Sequence, residues 1–401
     1  MRLRARMLIE DDELQARVRA TIRDIAAVLA AHAPDDSDSS DALADHALLR
    51  TYLASDDTLV DDDDVGGSAL RAAVARIPQL TRSALFGGVA RVGWTIAHVV
   101  DESEANAACA PLDAALLEIV GRVPDYDLIG GVVGIGVYAL ERGAAGRPLA
   151  TRVVDELERR AQPRAGGLAW HTAPELLPDH QREAAPEGYW NLGVAHGSPG
   201  AIGVLARMHR AGIEPARTRQ LLDGAVAYLR ANAPATAEPR FTAWEPGGGT
   251  PTARIAWCYG DLGIAAVLLG LPDEHARAEG LALARACAAR PRPDRAHNDA
   301  SLCHGTAGAA HLFHRMALAT GDATLADAAR DYVAITLAAR TAEPLAGFPF
   351  WTPEERTPDA TLLQGVAGIA LVLHAAISDI EPAWDRLLLV DLPAVDGSLL
   401  P

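Results

Sequence analysis

The chain has 401 residues, 49% hydrophobic and 22% charged, a globular composition that excludes a disordered, collagen-like or fibrous protein. Lys and Arg number 36 against 53 Asp and Glu, a formal charge of −17 with no basic stripe to offset it, which argues against binding to nucleic acid or an anionic membrane. Aromatic residues are only 5%, so the core leans on Ala, Leu and Val, a mixture that favours closely packed helices.

The N-terminus reads MRLRARMLIEDDELQ, and its basic residues lead into Glu10, Asp11 and Asp12 rather than an apolar stretch. No secretory signal is expected from it. No run of about 18 apolar residues occurs, so no membrane-spanning helix is expected and the cytoplasm is the expected location. The stretch from Leu14 to Ala33 and the segment from Asp41 to Ala54 read as a helix pair. Residues 34–64 also hold an acidic connection, with Asp35, Asp36, Asp38, Asp41 and the run Asp61 to Asp64. It lacks a D-x-D-x-D-G loop with a closing Glu, so a solvated linker is the reading rather than a calcium loop.

From residue 87 a Gly-led apolar phrase recurs. It reads GGVARVGW from Gly87, GVVGIGVYAL from Gly131, HGSPGAIGVLARM from His196, YGDLGIAAVLLG from Tyr259, HGTAGAAHLFHRM from His304 and QGVAGIALVLHAA from Gln364. Each has a glycine, two variable residues, another small residue, then a nearly uniform apolar stretch. Such a stretch predicts a buried helix. Amphipathic helices are expected between phrases, at Arg147 to Ala161, Glu214 to Ala231, Glu274 to Ala288 and Asp322 to Arg340. Strand patterning is poor. The expected fold is all-α: inner buried helices alternating with outer half-solvated ones in an α/α toroid, as a single domain over residues 1–401. An open solenoid is the rival architecture. The loop from Ala235 to Thr252, with Trp244 and Gly247 to Gly249, precedes a cysteine phrase and is expected at the rim of a site.

Four cysteines are too few for a disulfide scaffold. Cys109 and Cys287 lie inside Ala-rich helices and read as core. Cys258 in WCYG and Cys303-His304 in LCHG differ, because both sit just before an inner helix. Equivalent points of neighbouring repeats face one another, so two thiols and an imidazole would converge. Zinc prefers such donors, and three protein ligands leave a fourth position open, as in catalytic sites. His196 precedes Gly197 as His304 precedes Gly305, and reads as a fourth ligand, a proton shuttle or packing. Asp127 leads into the Gly131 phrase, where its carboxylate orients an imidazole or caps a helix. His98, His209, His311, His314 and His374 read as packing or surface. There is no G-x-S-x-G, Walker A or H-E-x-x-H motif, and Gly247 to Gly249 follow no strand.

NLGVAHGSPG (Asn191 to Gly200), WCYG (Trp257 to Gly260) and LCHG (Leu302 to Gly305), in that order, resemble the lanthionine synthetase C-like proteins. The likeness extends to Asp127-Leu128-Ile129 before Gly131 and to LLQGVAGI (Leu362 to Ile369). It implies a toroid of seven inner and seven outer helices, one inner helix being divergent here. It implies zinc on Cys258, Cys303 and His304, with His196 as acid–base group, Asp127 as active-site aspartate, and Arg254 and Tyr259 lining the site. The implied activity is a zinc-dependent lanthipeptide cyclase, which adds peptide Cys thiols to dehydroalanine or dehydrobutyrine and closes thioether rings. The implied partners are a dehydrated precursor peptide, a separate dehydratase and an exporter, because no dehydratase or kinase motif is present. Two alternatives stand beside it. One is a family enzyme that adds a small thiol such as glutathione to dehydroamino acids in proteins. The other is a non-catalytic zinc scaffold that binds peptides.

Overall fold

The computed structural model describes residues 7–31, 39–56, 58, 64–164, 166–233, 240–246, 254–293, 297–342 and 345–393. Much of the acidic connection, Asp35, Asp36, Asp38 and Asp61 to Asp63 among it, lies outside the described residues, as do Gly247 to Thr252.

The α-helices run in chain order as α1 (Asp12–Ala31), α2 (Ser40–Leu53), α3 (Val65–Ala75), α4 (Val89–Val99) and α5 (Glu102–Ile119). Next come α6 (Val132–Glu141), α7 (Arg147–Arg160), α8 (Asp179–Ala184), α9 (Ser198–Arg210) and α10 (Pro215–Ala231). The last are α11 (Asp261–Leu269), α12 (Glu274–Ala288), α13 (Thr306–Thr320), α14 (Ala323–Ala338) and α15 (Val366–Ile377). The strands among the described residues form three short antiparallel ribbons: β1 (Gln162–Arg164) with β2 (Gly167–Ala169), β3 (Trp190–Asn191) with β4 (Trp244–Glu245), and β5 (Phe350–Trp351) with β6 (Arg356–Thr357). No helix among the described residues is long and apolar enough to cross a membrane.

All six Gly-led phrases become helices: α4, α6, α9, α11, α13 and α15. Every residue of α11 and of α15 is buried, which follows from sequences without a polar face. Burial of each Leu, Val or Ile there contributes about 1.5–3 kcal/mol, which makes these helices the core rather than its cover. The glycine opening each phrase is the helix cap, with one shift: α4 is capped by Gly88, not Gly87. The second glycine has a steric reason. A Cβ on Gly134, Gly200, Gly308 or Gly368 would overlap the carbonyl of Leu128, Val194, Leu302 or Leu362, so the lead loop lies flat against the first helical turn.

The chain divides into two compact units. One comprises Leu80–Ala253 and Cys258–Gly280. Its buried helices α4, α6, α9 and α11 pack in succession, and α5, α7 and α10 cover them. Small residues set the spacing: a Cβ on Gly93 of α4 would come 2.7 Å from the Tyr138 ring of α6. The covering helices are amphipathic, with Arg217 of α10 reaching Asp155 and Glu158 of α7 at 2.8 and 2.6 Å. The other unit comprises Met1–Gln79, Arg254–Trp257 and Leu281–Pro401. Here α13, α15 and α2 pack in succession, and α14, α1 and α3 cover them. Helix α2 is the buried helix without a Gly-led phrase: Ser39 caps it through Oγ on the Ala42 N–H, and most of its residues are buried.

Candidate functional site

In the first of these units, two lead loops bring a carboxylate and an imidazole together. Asp127 lies in the loop before α6 and His196 ends the loop before α9. The loops are joined by the Leu128 N–H donating to the Ala195 carbonyl at 3.1 Å. His196 Nδ1 donates to Asp127 Oδ2 at 2.6 Å, while Asp127 Oδ1 accepts the Gly130 N–H at 2.8 Å. The carboxylate is buried (6% exposed) and the imidazole is not (45%), so the ring can meet a substrate while its partner stays dry. Desolvation of His196 by the surrounding protein works against its protonation. The hydrogen bond to Asp127 and the charges of Asp127, Asp125 and Cys258 outweigh it and raise the pKa above the ordinary histidine value.

Tyr259 follows Cys258 before α11, with its ring centroid 6.3 Å from that of His196. Asn191 of β3 donates through Nδ2 to the Tyr259 hydroxyl at 2.9 Å and accepts the Gly193 N–H on Oδ1 at 2.8 Å. Burial, with Tyr189 next, raises the Tyr259 pKa, so the phenol stays neutral. His196, Asp127 and Tyr259 open into one cavity of about 560 Å³. Ile119, Val123, Leu176 and Leu177 supply apolar wall, and Arg82 and Arg122 also line it. The stretch carrying Thr172, Leu176, Leu177, Gln181 and Tyr189, inserted between α7 and α9, makes much of one side.

In the other unit, Cys303 and His304 end the loop before α13. The Cys303 N–H donates to the Leu363 carbonyl at 2.8 Å, and the Cys303 carbonyl accepts the Trp257 N–H at 3.2 Å. Asp299 accepts the Ser301 N–H on Oδ1 at 2.8 Å and the Trp351 N–H on Oδ2 at 3.2 Å. That Oδ2 lies 4.0 Å from His304 Nε2, and the Phe350 ring stands edge-on to the imidazole at 5.6 Å. Residues 254–257 are tied down by His297 Nε2 donating to the Ile255 carbonyl at 2.7 Å and Trp257 Nε1 donating to the Leu388 carbonyl at 2.9 Å. Cys303 and His304 offer a thiol and an imidazole in this unit, and Cys258 offers a thiol in the other. Two sulfurs and an imidazole are the donor chemistry that zinc prefers, so the residues fit that ion.

Arg254 opens the tied-down segment and is half-buried. Cys109 and Cys287 are buried in α5 and α12, and His311 and His374 are buried helix residues, as expected. His98 stacks on Trp94 at 4.5 Å and bonds Glu141 at 2.8 Å, away from the cavity lining. Trp244, expected at a rim, pairs with Asn191 in the β3–β4 ribbon.

Three residues of the site escape the sequence reading: Asn191, Asp125 and Arg82. Asp125 also lines the cavity, and burial followed by the charge of Asp127 pushes its pKa up to about 6. The available signal for Asp125 was its place six residues before a capping glycine, a position that Asn191 and Asp299 also hold.

Residues 41–389 match the family model for the lanthionine synthetase C-like protein. No curated protein matches the chain in sequence. Among solved structures the chain resembles a nisin cyclase, with a TM-score of 0.75 and 16% identity over 95% of this chain and 98% of that one. At that identity the likeness shows the fold, which is an all-α α/α toroid.

Proposed function

The chain belongs to the lanthionine synthetase C-like family, and from that premise we propose that it is a zinc-dependent lanthipeptide cyclase. It adds cysteine thiols of a dehydrated precursor peptide to dehydroalanine or dehydrobutyrine, in the cytoplasm, after a separate dehydratase. The observation that carries this reading is the 2.6 Å pair of Asp127 and His196 on a cavity large enough for a peptide segment.

Cys258, Cys303 and His304 would hold the zinc. Bound there, the ion supplies a substrate thiol that is deprotonated near neutral pH. The remaining work falls to this chain's side chains. Attack on the β-carbon of a dehydroamino acid pushes charge onto the adjacent carbonyl, and the α-carbon must then take a proton. His196 is suited to give it, because its raised pKa keeps the imidazolium available near neutral pH. Asp127 holds the Nδ1 proton, which leaves Nε2 as the nitrogen that exchanges with substrate. Neutral Tyr259, held by Asn191, stands beside the ring.

Ring closure leaves the peptide mass unchanged and removes one titratable thiol, so thiol alkylation followed by mass measurement reads it directly. The expected result is loss of alkylation on a dehydrated, cysteine-containing peptide, with about one zinc per chain. A mass increase by one added glutathione, with peptide thiols still alkylated, would instead mean an enzyme for small thiols. Zinc binding without either change would leave a peptide-binding scaffold.

A further inference from the structure

The six lead loops share a frame that assigns a role to Arg82. Six residues before each capping glycine stand Arg82, Asp125, Asn191, Arg254, Asp299 and Asp359. In four loops the carbonyl of this residue accepts the first helical N–H: Val89 to Arg82 at 3.0 Å, Val132 to Asp125 at 3.2 Å, Thr306 to Asp299 at 3.2 Å and Val366 to Asp359 at 3.0 Å. Where the residue is Asp or Asn, its side chain closes its own turn. Asp125, Asn191, Asp299 and Asp359 accept the N–H of Tyr126, Gly193, Ser301 and Thr361 at 2.7, 2.8, 2.8 and 2.7 Å. Arginine has no acceptor and cannot make that bond. Its presence at 82 gives up a local stabilising contact that the frame is built to take.

The place of Arg82 supplies the reason. It lines the cavity that holds His196, Asp127 and Tyr259. Its backbone is held by the Val89 bond and by the tight turn through Gly87, at φ 81°, and Gly88, whose Cβ would come 2.5 Å from the Arg82 carbonyl. The Phe86 N–H donates to the Ile129 carbonyl at 3.0 Å, which seats this loop beside the one bearing Asp127. Gly130 makes room for the guanidinium: a Cβ there would lie 3.1 Å from Arg82 Nη2 and 3.8 Å from Asp127 Oδ1. The other cations lining the cavity are committed, His196 to Asp127 and Arg122 to Glu118 at 3.3 Å. The Arg82 guanidinium has no hydrogen-bond or ion-pair partner among the described residues.

We propose that Arg82 is a further catalytic residue, donating hydrogen bonds to the carbonyl oxygen of the dehydroamino acid as it becomes an enolate. This rests on the cyclase reading above. The electron pair of the thiolate forms the carbon–sulfur bond, the alkene pair becomes the double bond between the α-carbon and the carbonyl carbon, and the carbonyl π pair moves onto the oxygen facing Arg82. The proton of His196 then closes the α-carbon and is replaced from solvent, balancing the one the thiol released. Preorganised donors at a developing oxyanion are worth about 100-fold or more in kcat each.

The test uses Arg82→Asn, which supplies the kind of turn-closing side chain found in four of the other loops, and Arg82→Lys. The probe is a synthetic peptide with one dehydroalanine and one cysteine, given to zinc-loaded full-length protein. Arg82→Asn is expected to keep the wild-type Tm or exceed it, and to lose about 100-fold in kcat with KM changed less than threefold. Arg82→Lys is expected to recover part of kcat. Wild-type kcat in Arg82→Asn would overturn the proposal, as would a rise in KM alone or a fall in Tm that accounts for the lost activity. Wild-type protein that holds zinc and leaves the probe untouched would overturn the cyclase reading itself, and this proposal with it.

Discussion

The lead loops of α13 and α15 are built on one frame and carry different cargo. In both, an aspartate, Asp299 or Asp359, accepts an N–H two residues on, and its carbonyl accepts the first N–H of the helix. In both, a second glycine, Gly308 or Gly368, lets the loop carbonyl of Leu302 or Leu362 touch the helix. The two positions before the capping glycine are Cys303-His304 in one loop and Leu363-Gln364 in the other. The frame is therefore structural, and it presents different side chains at those two positions. The loops are also linked, since the Leu363 carbonyl holds the Cys303 N–H, so the Leu363-Gln364 loop positions the one bearing Cys303 and His304.

The widest separation should come from the cargo. Cys303→Ala is expected to reduce zinc from about one per chain to near none and cyclisation to background, while Gln364→Ala changes either by less than twofold. Metal analysis with thiol alkylation reads both, and equal effects would erase the distinction between the loops. Asp127→Asn comes next. It keeps an oxygen near His196 but removes the charge, and should cost about tenfold or more in kcat. Because Asp127 raises the His196 pKa, its removal should move the alkaline limb of the rate profile to lower pH. An unmoved limb would show that another group gives the proton.

Breaking the frame alone should touch stability more than chemistry. Gly368→Ala forces a Cβ onto the Leu362 carbonyl and is expected to cost about 1–3 kcal/mol in denaturant unfolding, with zinc per folded chain retained. The smallest effect concerns Asp125. Its folded pKa, about 6, stands above the ordinary carboxylate value, so it costs stability as pH rises from about 4 to 6 and throughout the range above. Asp125→Asn should therefore raise Tm by roughly 2 °C at pH 7 and leave it unchanged near pH 3. An increase at both pH values would assign the gain to something other than the charge.

The Gly-led phrases were legible because a small residue at a cap and a uniformly apolar run are local signals. So were the amphipathic helices: Glu274 to Ala288 is helical as predicted, and Asp322 became the cap of α14 through the Thr324 N–H. Helix α2 was harder, since Ser39 replaces the glycine and its buried Asp45, His46 and Arg50 blur the apolar signal. Arg254 was placed by resemblance, whereas Arg82 escaped notice because its loop aligns with the others only when Gly88 is taken as the cap.

The sequence by itself determined where the buried helices start and which residues stand at their mouths, because caps, close-approach glycines and apolar periodicity act within a turn or two of the chain. It also named the thiol and imidazole donors by type. Tertiary structure alone decided that Asp127 meets His196 across 69 residues, that Asn191 holds Tyr259 across 68, and that Arg82 is left uncommitted beside them. Those pairings follow from how α4, α6, α9 and α11 pack side by side, and packing sums many weak contacts that no local pattern encodes.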